Sequence, residues 1–281
     1  MPMIIATSVE SAVSALRDHP DARIIQGGTD LMVEINFNHV KPSTMISIRD
    51  IESLKKITQP SNGVIRIGSG VPYSQLEQEP ILSVVPALAQ ASRTVGSPQI
   101  RAAGTLGGNL GTCSPAGDTL PVMFALDATV HLQSPSHARE VAIHDFMVGV
   151  KKNIRRHDEI ITAVDFPIVR GWQGYSKVGV RNAMVISVAS ACLVADHNEG
   201  IVRLALGSVG PTVIRCREAE SWLHSVTSLQ QGEKISSDIA KEFGHRAAKE
   251  SSPIDDHRST AEYRRHAISV LASRLLTKAY S

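Results

Sequence analysis

A short apolar strand that runs straight into two glycines constrains this chain most. Arg23 to Gln26 has strand composition, Gly27-Gly28 follows at once, and Leu31, Met32 and Ile35 open a segment of helical periodicity. Glycines let a backbone turn sharply and approach a ligand closely. Successive N–H groups at such a turn make an anion nest, for which a pyrophosphate is a natural occupant. Each hydrogen bond to a charged group contributes roughly 1.5–3 kcal/mol, so several donors in a row anchor a dinucleotide. Gln26-Gly27-Gly28-Thr29-Asp30-Leu31 also fits a tight strand-to-helix turn with no ligand, and taken alone it favours that plainer reading.

A second glycine-rich stretch runs from Gly104 to Asp118 (GTLGGNLGTCSPAGD). It does not fit G-x-G-x-x-G, and no Gly-Lys-Ser/Thr occurs anywhere, so neither a Rossmann fingerprint nor a Walker loop is present. What remains is a long segment of flexible backbone with Thr105, Asn109, Ser114 and Asp118 as polar teeth. Asp118 either accepts hydrogen bonds from sugar hydroxyls or caps a helix starting near Thr119, and the two roles can coexist.

At roughly 150 residues per domain, 281 residues point to two domains or one large one. The first half alternates short elements: helices at Thr7–Arg17, Val84–Val95 and Leu120–Leu126, strands at Met45–Ile48, Val64–Ile67, Thr129–Leu132 and Ile160–Phe166. A boundary falls in Pro167–Gly174, where Pro, Arg and Gly cluster. Beyond it, Met184–Ala195 and Ile201–Leu206 read as a strand hairpin, followed by helices at Arg217–His224, Ile235–Glu250 and Ala261–Lys278. Strands followed by helices give an α+β unit.

The net charge of +2 gives no basic footprint for nucleic acid. The longest nearly apolar stretch, Ala183–Ala195, is too short to span a bilayer. The N-terminus lacks the basic region and cleavage site of a secretory signal, so a soluble, cytoplasmic protein is expected. Cys113, Cys192 and Cys216 are far apart and form no C-x-x-C, which excludes a zinc site or iron–sulfur cluster held by this chain alone. G-x-S-x-G and H-E-x-x-H are absent, and His257 and His266 lie in a polar, solvated stretch. With no acid, base, nucleophile or metal ligand to assign, a dinucleotide site implies that a cofactor does the chemistry and the protein holds it.

Four motifs in order resemble the FAD-binding medium subunit of the xanthine dehydrogenase and carbon monoxide dehydrogenase family of molybdenum hydroxylases. They are Ile24 to Leu31; Pro98-Gln99-Ile100-Arg101 through Gly104–Asn109 to Ser114-Pro115-Ala116-Gly117-Asp118; Asp158-Glu159-Ile160-Ile161 with Asp165-Phe166-Pro167; and Tyr175-Ser176-Lys177 with Arg181 to Ser187. Each is weak alone, and the series spans nearly the whole chain.

The resemblance implies an α+β fold: a vanillyl-alcohol-oxidase-type FAD-binding domain over residues 1–170, built of two subdomains split near 55–60. A C-terminal domain of a small antiparallel sheet and helices would cover 171–281. It implies that Ile25, Gln26, Gly27, Gly28, Thr29, Asp30 and Leu31 wrap the pyrophosphate. Thr105, Gly108, Asn109 and Ser114 would form the second phosphate and ribityl contact, and Asp118 would hold hydroxyls of the nucleotide. Ile161 would contact the adenine, and Val95 and Gly96 the isoalloxazine. Lys177 would lie close to the flavin ring, where a cation stabilises an anionic reduced form and raises the potential. Animal xanthine oxidases stack an aromatic near the flavin where this sequence has Val95. The benzoyl-coenzyme A reductase branch carries an extra cluster in this subunit, for which the cysteines here are too few.

Also implied are partners: a 2Fe-2S subunit and a molybdopterin subunit, assembled as a dimer of heterotrimers (a heterohexamer). Electrons would pass to FAD and on to NAD, a quinone or oxygen. Xanthine is the first substrate expected for the complex, with carbon monoxide, an aldehyde or an N-heterocycle as alternatives. A non-catalytic scaffold subunit without flavin is the rival from another class. The chain starts shortly before its first helix, which leaves open whether the edge of the N-terminal sheet is altered. Two substitutions carry expectations: Asp118→Ala weakens FAD retention with the fold intact, and Gly28→Val blocks approach to the pyrophosphate.

Overall fold

The computed structural model describes residues 2–281. The chain opens with β1 (Met3–Ile5), α1 (Val9–Asp18), β2 (Arg23–Ile25), α2 (Leu31–Asn36) and β3 (Met45–Ser47). The three strands form a parallel sheet in the order β1-β3-β2. The residues ahead of the first helix thus supply an edge strand, so that edge is present where sequence placed no element. Ser8 caps α1 through a reciprocal capping box with Ser11, which fixes where the helix starts. Ala12, Val13 and Leu16 of α1 pack on Ile46, and Ile160 from the next sheet completes this core.

The second layer is a five-stranded antiparallel sheet, β4-β5-β10-β6-β7. Its strands are β4 (Ile57–Ser61), β5 (Val64–Gly68), β6 (Thr129–Gln133), β7 (Ala138–Ala142) and β10 (Ile160–Pro167). A small hairpin of β8 (Met147–Gly149) and β9 (Lys152–Asn153) precedes β10. Between β5 and β6 lie α3 (Pro86–Arg93), α4 (Pro98–Ala103), α5 (Leu106–Thr112) and α6 (Leu120–Ala125). The helix expected over Val84–Val95 is broken: a turn at Ile81–Val84 precedes Pro86, which starts a new helix because it lacks the N–H to continue the old one. Val95 lies beyond the end of α3.

The Gly104–Asp118 stretch is not the flexible segment its composition indicates. Half of it is helical, as α5, with the Thr105 hydroxyl accepting from the Gly108 N–H at 3.1 Å. Glycine is used there for packing: a Cβ on Gly107 would lie 2.4 Å from Ser69 Cβ, and its N–H donates to Ser69 O at 2.8 Å. Asp118 does not cap α6 either, since that helix begins with no side-chain cap bond.

The C-terminal unit is an antiparallel sheet of β11 (Gly171–Val178), β12 (Ala189–Asp196), β13 (Ile201–Gly207) and β14 (Ile214–Arg215). Helices α7 (Arg217–Val226), α8 (Ser237–Glu250) and α9 (Ala261–Ala279) follow. Ala189 to Ala195 are all buried, because α9 covers β12 on one side and α6 on the other. That is why the strand reads as an unbroken apolar run rather than an alternation. The strand expected from Met184 starts only at Ala189: Met184 has φ +50, incompatible with an extended chain. Residues 179–188 instead form an irregular loop that joins β11 to β12. No helix among the described residues is long and apolar enough to cross a membrane.

Candidate cofactor-binding site

The end of β2 delivers the chain into a cavity of about 640 Å³ between the N-terminal sheet, α5 and the 179–188 loop. That volume is in the range that holds small-molecule cofactors. Gln26 to Leu31 line it, and the N–H groups of Gly27, Gly28, Thr29, Asp30 and Leu31 donate to no protein acceptor among the described residues. Five successive unpaired donors make an anion nest rather than an ordinary turn. Gly28 provides the bend with φ +70. Gly27 provides the close approach: a Cβ there would sit 1.8 Å from the Ala103 carbonyl oxygen.

The facing wall is α5 and the turn after it. Asn109 accepts from the Thr119 hydroxyl at 2.6 Å through Oδ1, which leaves its Nδ2 unengaged. Ser114 and Asp118 line the cavity beyond it. Ser69, which also lines the cavity, carries a buried hydroxyl without a hydrogen-bond partner. A buried hydroxyl without a partner costs about 1–3 kcal/mol, so it calls for an acceptor or donor from a ligand. Together the nest, the unengaged amide and the orphan hydroxyl fit a group carrying a pyrophosphate and sugar hydroxyls.

At one end the lining is isoleucine: Ile24, Ile48, Ile160 and Ile161, with Arg23 and Arg155 beside them. Burial lowers the Arg155 guanidinium from its ordinary value, Glu159 offsetting part of this and Arg23 adding to it. Arg155 remains a cation, held by the carbonyls of Arg156 and Glu159 at 2.9 and 2.6 Å. At the other end lie Val95, Gly96, Ile100 and the loop residues Met184, Val185 and Ile186. Two apolar groups of residues beside a polar lining match a dinucleotide with a ring system at each end.

Fifteen of the sixteen residues singled out from sequence line this one cavity. Lys177 is the exception. Its ammonium contacts Asp118 Oδ2 at 2.7 Å, Thr94 O at 2.9 Å and Val185 O at 3.2 Å, which uses all three of its protons. Asp118 is itself 8% exposed and accepts from the Tyr175 hydroxyl at 2.8 Å. Burial pushes the Asp118 carboxyl up, against the opposing pull of Lys177 and Tyr175. Burial, then Asp118, keeps the Tyr175 phenol protonated and donating.

Sequence reasoning missed Ser69, Arg23, Arg155, Glu34 and Lys151, all of which line the cavity. For Ser69 a signal existed: Gly68-Ser69-Gly70 ends a strand much as Gly27-Gly28 does. Glu34 and Lys151 carry none, being 117 residues apart. Among the described residues no cluster of His, Cys, Asp or Glu is placed to hold a metal ion.

Residues 1–169 match the family described as FAD binding domain in molybdopterin dehydrogenase, and residues 175–279 match CO dehydrogenase flavoprotein C-terminal domain. The chain is 30% identical to a xanthine dehydrogenase FAD-binding subunit of Escherichia coli O157:H7, over 98% of this chain and 94% of that one. It is 36% identical to a nicotinate dehydrogenase FAD-subunit of Eubacterium barkeri, over 77% of each chain. Its fold is similar to that of quinoline 2-oxidoreductase from Pseudomonas putida 86, with TM-score 0.91 and 25% identity over 100% of this chain and 96% of that one. This chain belongs to the FAD-binding subunits of the molybdenum hydroxylases, the family of the xanthine and carbon monoxide dehydrogenases.

Proposed function

We propose that residues 1–170 and 171–281 are two domains that enclose FAD in this cavity, and that the chain relays electrons within a molybdenum hydroxylase. The observation that carries the cofactor site is the row of five unpaired N–H groups from Gly27 to Leu31, closed against Ala103 by a glycine with no room for a Cβ. In this reading the nest takes the pyrophosphate, while Thr105, Gly108, Asn109, Ser114 and Asp118 face the ribityl and sugar hydroxyls. Ile161 and its isoleucine neighbours take the adenine. Val95, Gly96 and the Met184–Ile186 wall take the ring system.

Bound FAD supplies the centre that accepts electrons and passes them on. The chain's own part is to bind, orient and exclude water. Lys177 is a positioning residue: by holding Val185 O and Thr94 O together, it ties the 179–188 loop to the end of α3. Its charge reaches the cavity through Asp118, whose other oxygen Tyr175 holds.

Electrons arrive from a 2Fe-2S subunit that a molybdopterin subunit feeds, in a dimer of heterotrimers, and leave to NAD, a quinone or oxygen. The absence of a metal motif from this sequence supports that division of labour. We infer an aromatic N-heterocycle as the substrate of the complex, xanthine first, because relatives named for xanthine, nicotinate and quinoline oxidation are among the matches. Anaerobic mixing of the assembled complex with xanthine, nicotinate, carbon monoxide or glyceraldehyde tests this. Bleaching of the flavin band by an N-heterocycle supports the reading, and bleaching only by carbon monoxide or the aldehyde overturns the substrate class. No bleaching by any donor, in a complex carrying all its cofactors, overturns the relay.

A further inference from the structure

We propose that Glu34 and Lys151 form a clasp across the dinucleotide cavity that sets how fast FAD enters and leaves, a role that rests on the FAD reading above. Lys151 Nζ is paired with Glu34 Oε1, and the Thr112 hydroxyl donates to Asp30 Oδ2 at 3.1 Å. The first joins α2, and the second the nest residue just before it, to the opposite wall of the cavity. All four residues line it. The Lys151 side chain is 45% exposed and that of Glu34 24%, which puts the pair at the solvent rim.

The Lys151 side of the clasp stands on a fixed base. Lys151 has φ +53, in the left-handed region, and its N–H donates to Cys113 O at 3.2 Å. Two residues on, Asn153 Nδ2 donates to Gly111 O at 3.1 Å and to Leu110 O at 3.4 Å. The β8–β9 hairpin is thereby pinned to the end of α5, and the ammonium reaches out from it. On the other side Glu34 also faces His39 Nδ1 at 3.4 Å.

The clasp bonds run between protein groups alone. A dinucleotide held between the nest and α5 would pass beneath them, and they would then open for entry and for exit alike. Weakening them raises both rates together and leaves the equilibrium affinity nearly unchanged. A side chain that touched the cofactor would behave differently, raising release and Kd together. A half-exposed ion pair contributes modestly, so the effect of losing it is about fivefold rather than orders of magnitude.

The test uses the full chain loaded with FAD, following free-flavin fluorescence after dilution for release and its quenching on mixing for uptake. Lys151→Gly removes the ammonium yet suits the left-handed backbone, so the hairpin turn is kept. The clasp predicts release and uptake both about fivefold faster in Lys151→Gly, with Kd changed by less than about twofold. The charge swap Glu34→Lys with Lys151→Glu returns both rates toward the wild type. Wild-type release accelerates between about 0.02 and about 0.5 M salt, and that of Lys151→Gly does not. Unchanged rates in Lys151→Gly, or faster release with unchanged uptake and a raised Kd, overturn the clasp. If the wild-type chain binds no FAD, the cofactor reading falls and the clasp with it; FAD binding with unchanged exchange removes the clasp alone.

Discussion

Lys177 and Asp118 form an ion pair of 2.7 Å in which the lysine side chain is 9% exposed and the aspartate 8%. Removing one partner of a buried pair leaves the other charge uncompensated, at about 3–5 kcal/mol. Lys177→Met and Asp118→Ala should each lower the urea midpoint by a clear margin. The double variant Lys177→Met with Asp118→Leu should recover most of that loss. Asp118→Ala is thus expected to cost stability as well as FAD retention, because the carboxylate is a structural partner as well as a cavity wall. Equal midpoints for Asp118→Ala and the wild type would count against the pair.

Gly27 should be less tolerant than Gly28. A Cβ on Gly27 meets the Ala103 oxygen at 1.8 Å, and that backbone cannot yield without moving α4 away from the nest. A Cβ on Gly28 meets only Met32 Cγ at 3.3 Å and Ile25 Cδ1 at 3.4 Å. Its penalty is the left-handed φ of +70, about 1–2 kcal/mol for an L side chain. The expected effect of Gly28→Val therefore comes from backbone strain and from crowding Met32 and Ile25. Gly27→Ala should lose FAD on gel filtration where Gly28→Ala retains part of it; the reverse order would contradict this assignment.

The Thr105 hydroxyl caps α5 through Gly108 N, and Thr105 is 5% exposed. Thr105→Val keeps the shape and removes the acceptor, at a cost of about 1 kcal/mol. Denaturant titration reads that cost, and FAD titration should show weaker binding, because the cap fixes the wall that carries Asn109. Unaltered stability in Thr105→Val would show that the cap contributes nothing.

Two carboxylates outside the cavity set an acid limit. Burial raises the Glu159 carboxyl, but the Arg139 hydrogen bonds and the Arg156 N–H outweigh it and hold it below its ordinary 4.5. Asp165 is likewise held below 3.8: burial opposes, and Arg66 and His131 prevail. A carboxyl lowered in the folded state stabilises above its unfolded pKa, and the contribution fades as pH falls through the folded value. Stability from these groups should thus be flat from about pH 7 to about pH 5 and decline below about pH 4. Arg139→Met should lower stability at neutral pH and flatten the acid decline; an unchanged acid slope would exclude Glu159 as a source.

Legibility in the sequence followed the range of the interaction. The nest was readable because Gly27-Gly28 directly after a strand is a local signal. Composition reads Gly104–Asp118 as flexible because it does not reveal that Gly107 packs on Ser69, a distant residue just past the end of β5. Apolar content places Met184 in a strand because it cannot show a positive φ. Lys177 was legible as a cation near the site, but its commitment to Asp118, Thr94 and Val185 depends on three distant segments. Glu34 and Lys151 had no local pattern at all.

The most direct measurement is the flavin content of the purified full chain after incubation with FAD and removal of the excess. A yellow protein with a band near ~450 nm is expected, with one flavin per wild-type chain and far less for Gly27→Ala at matched folded fraction. A folded wild-type chain that stays colourless after reconstitution would contradict it.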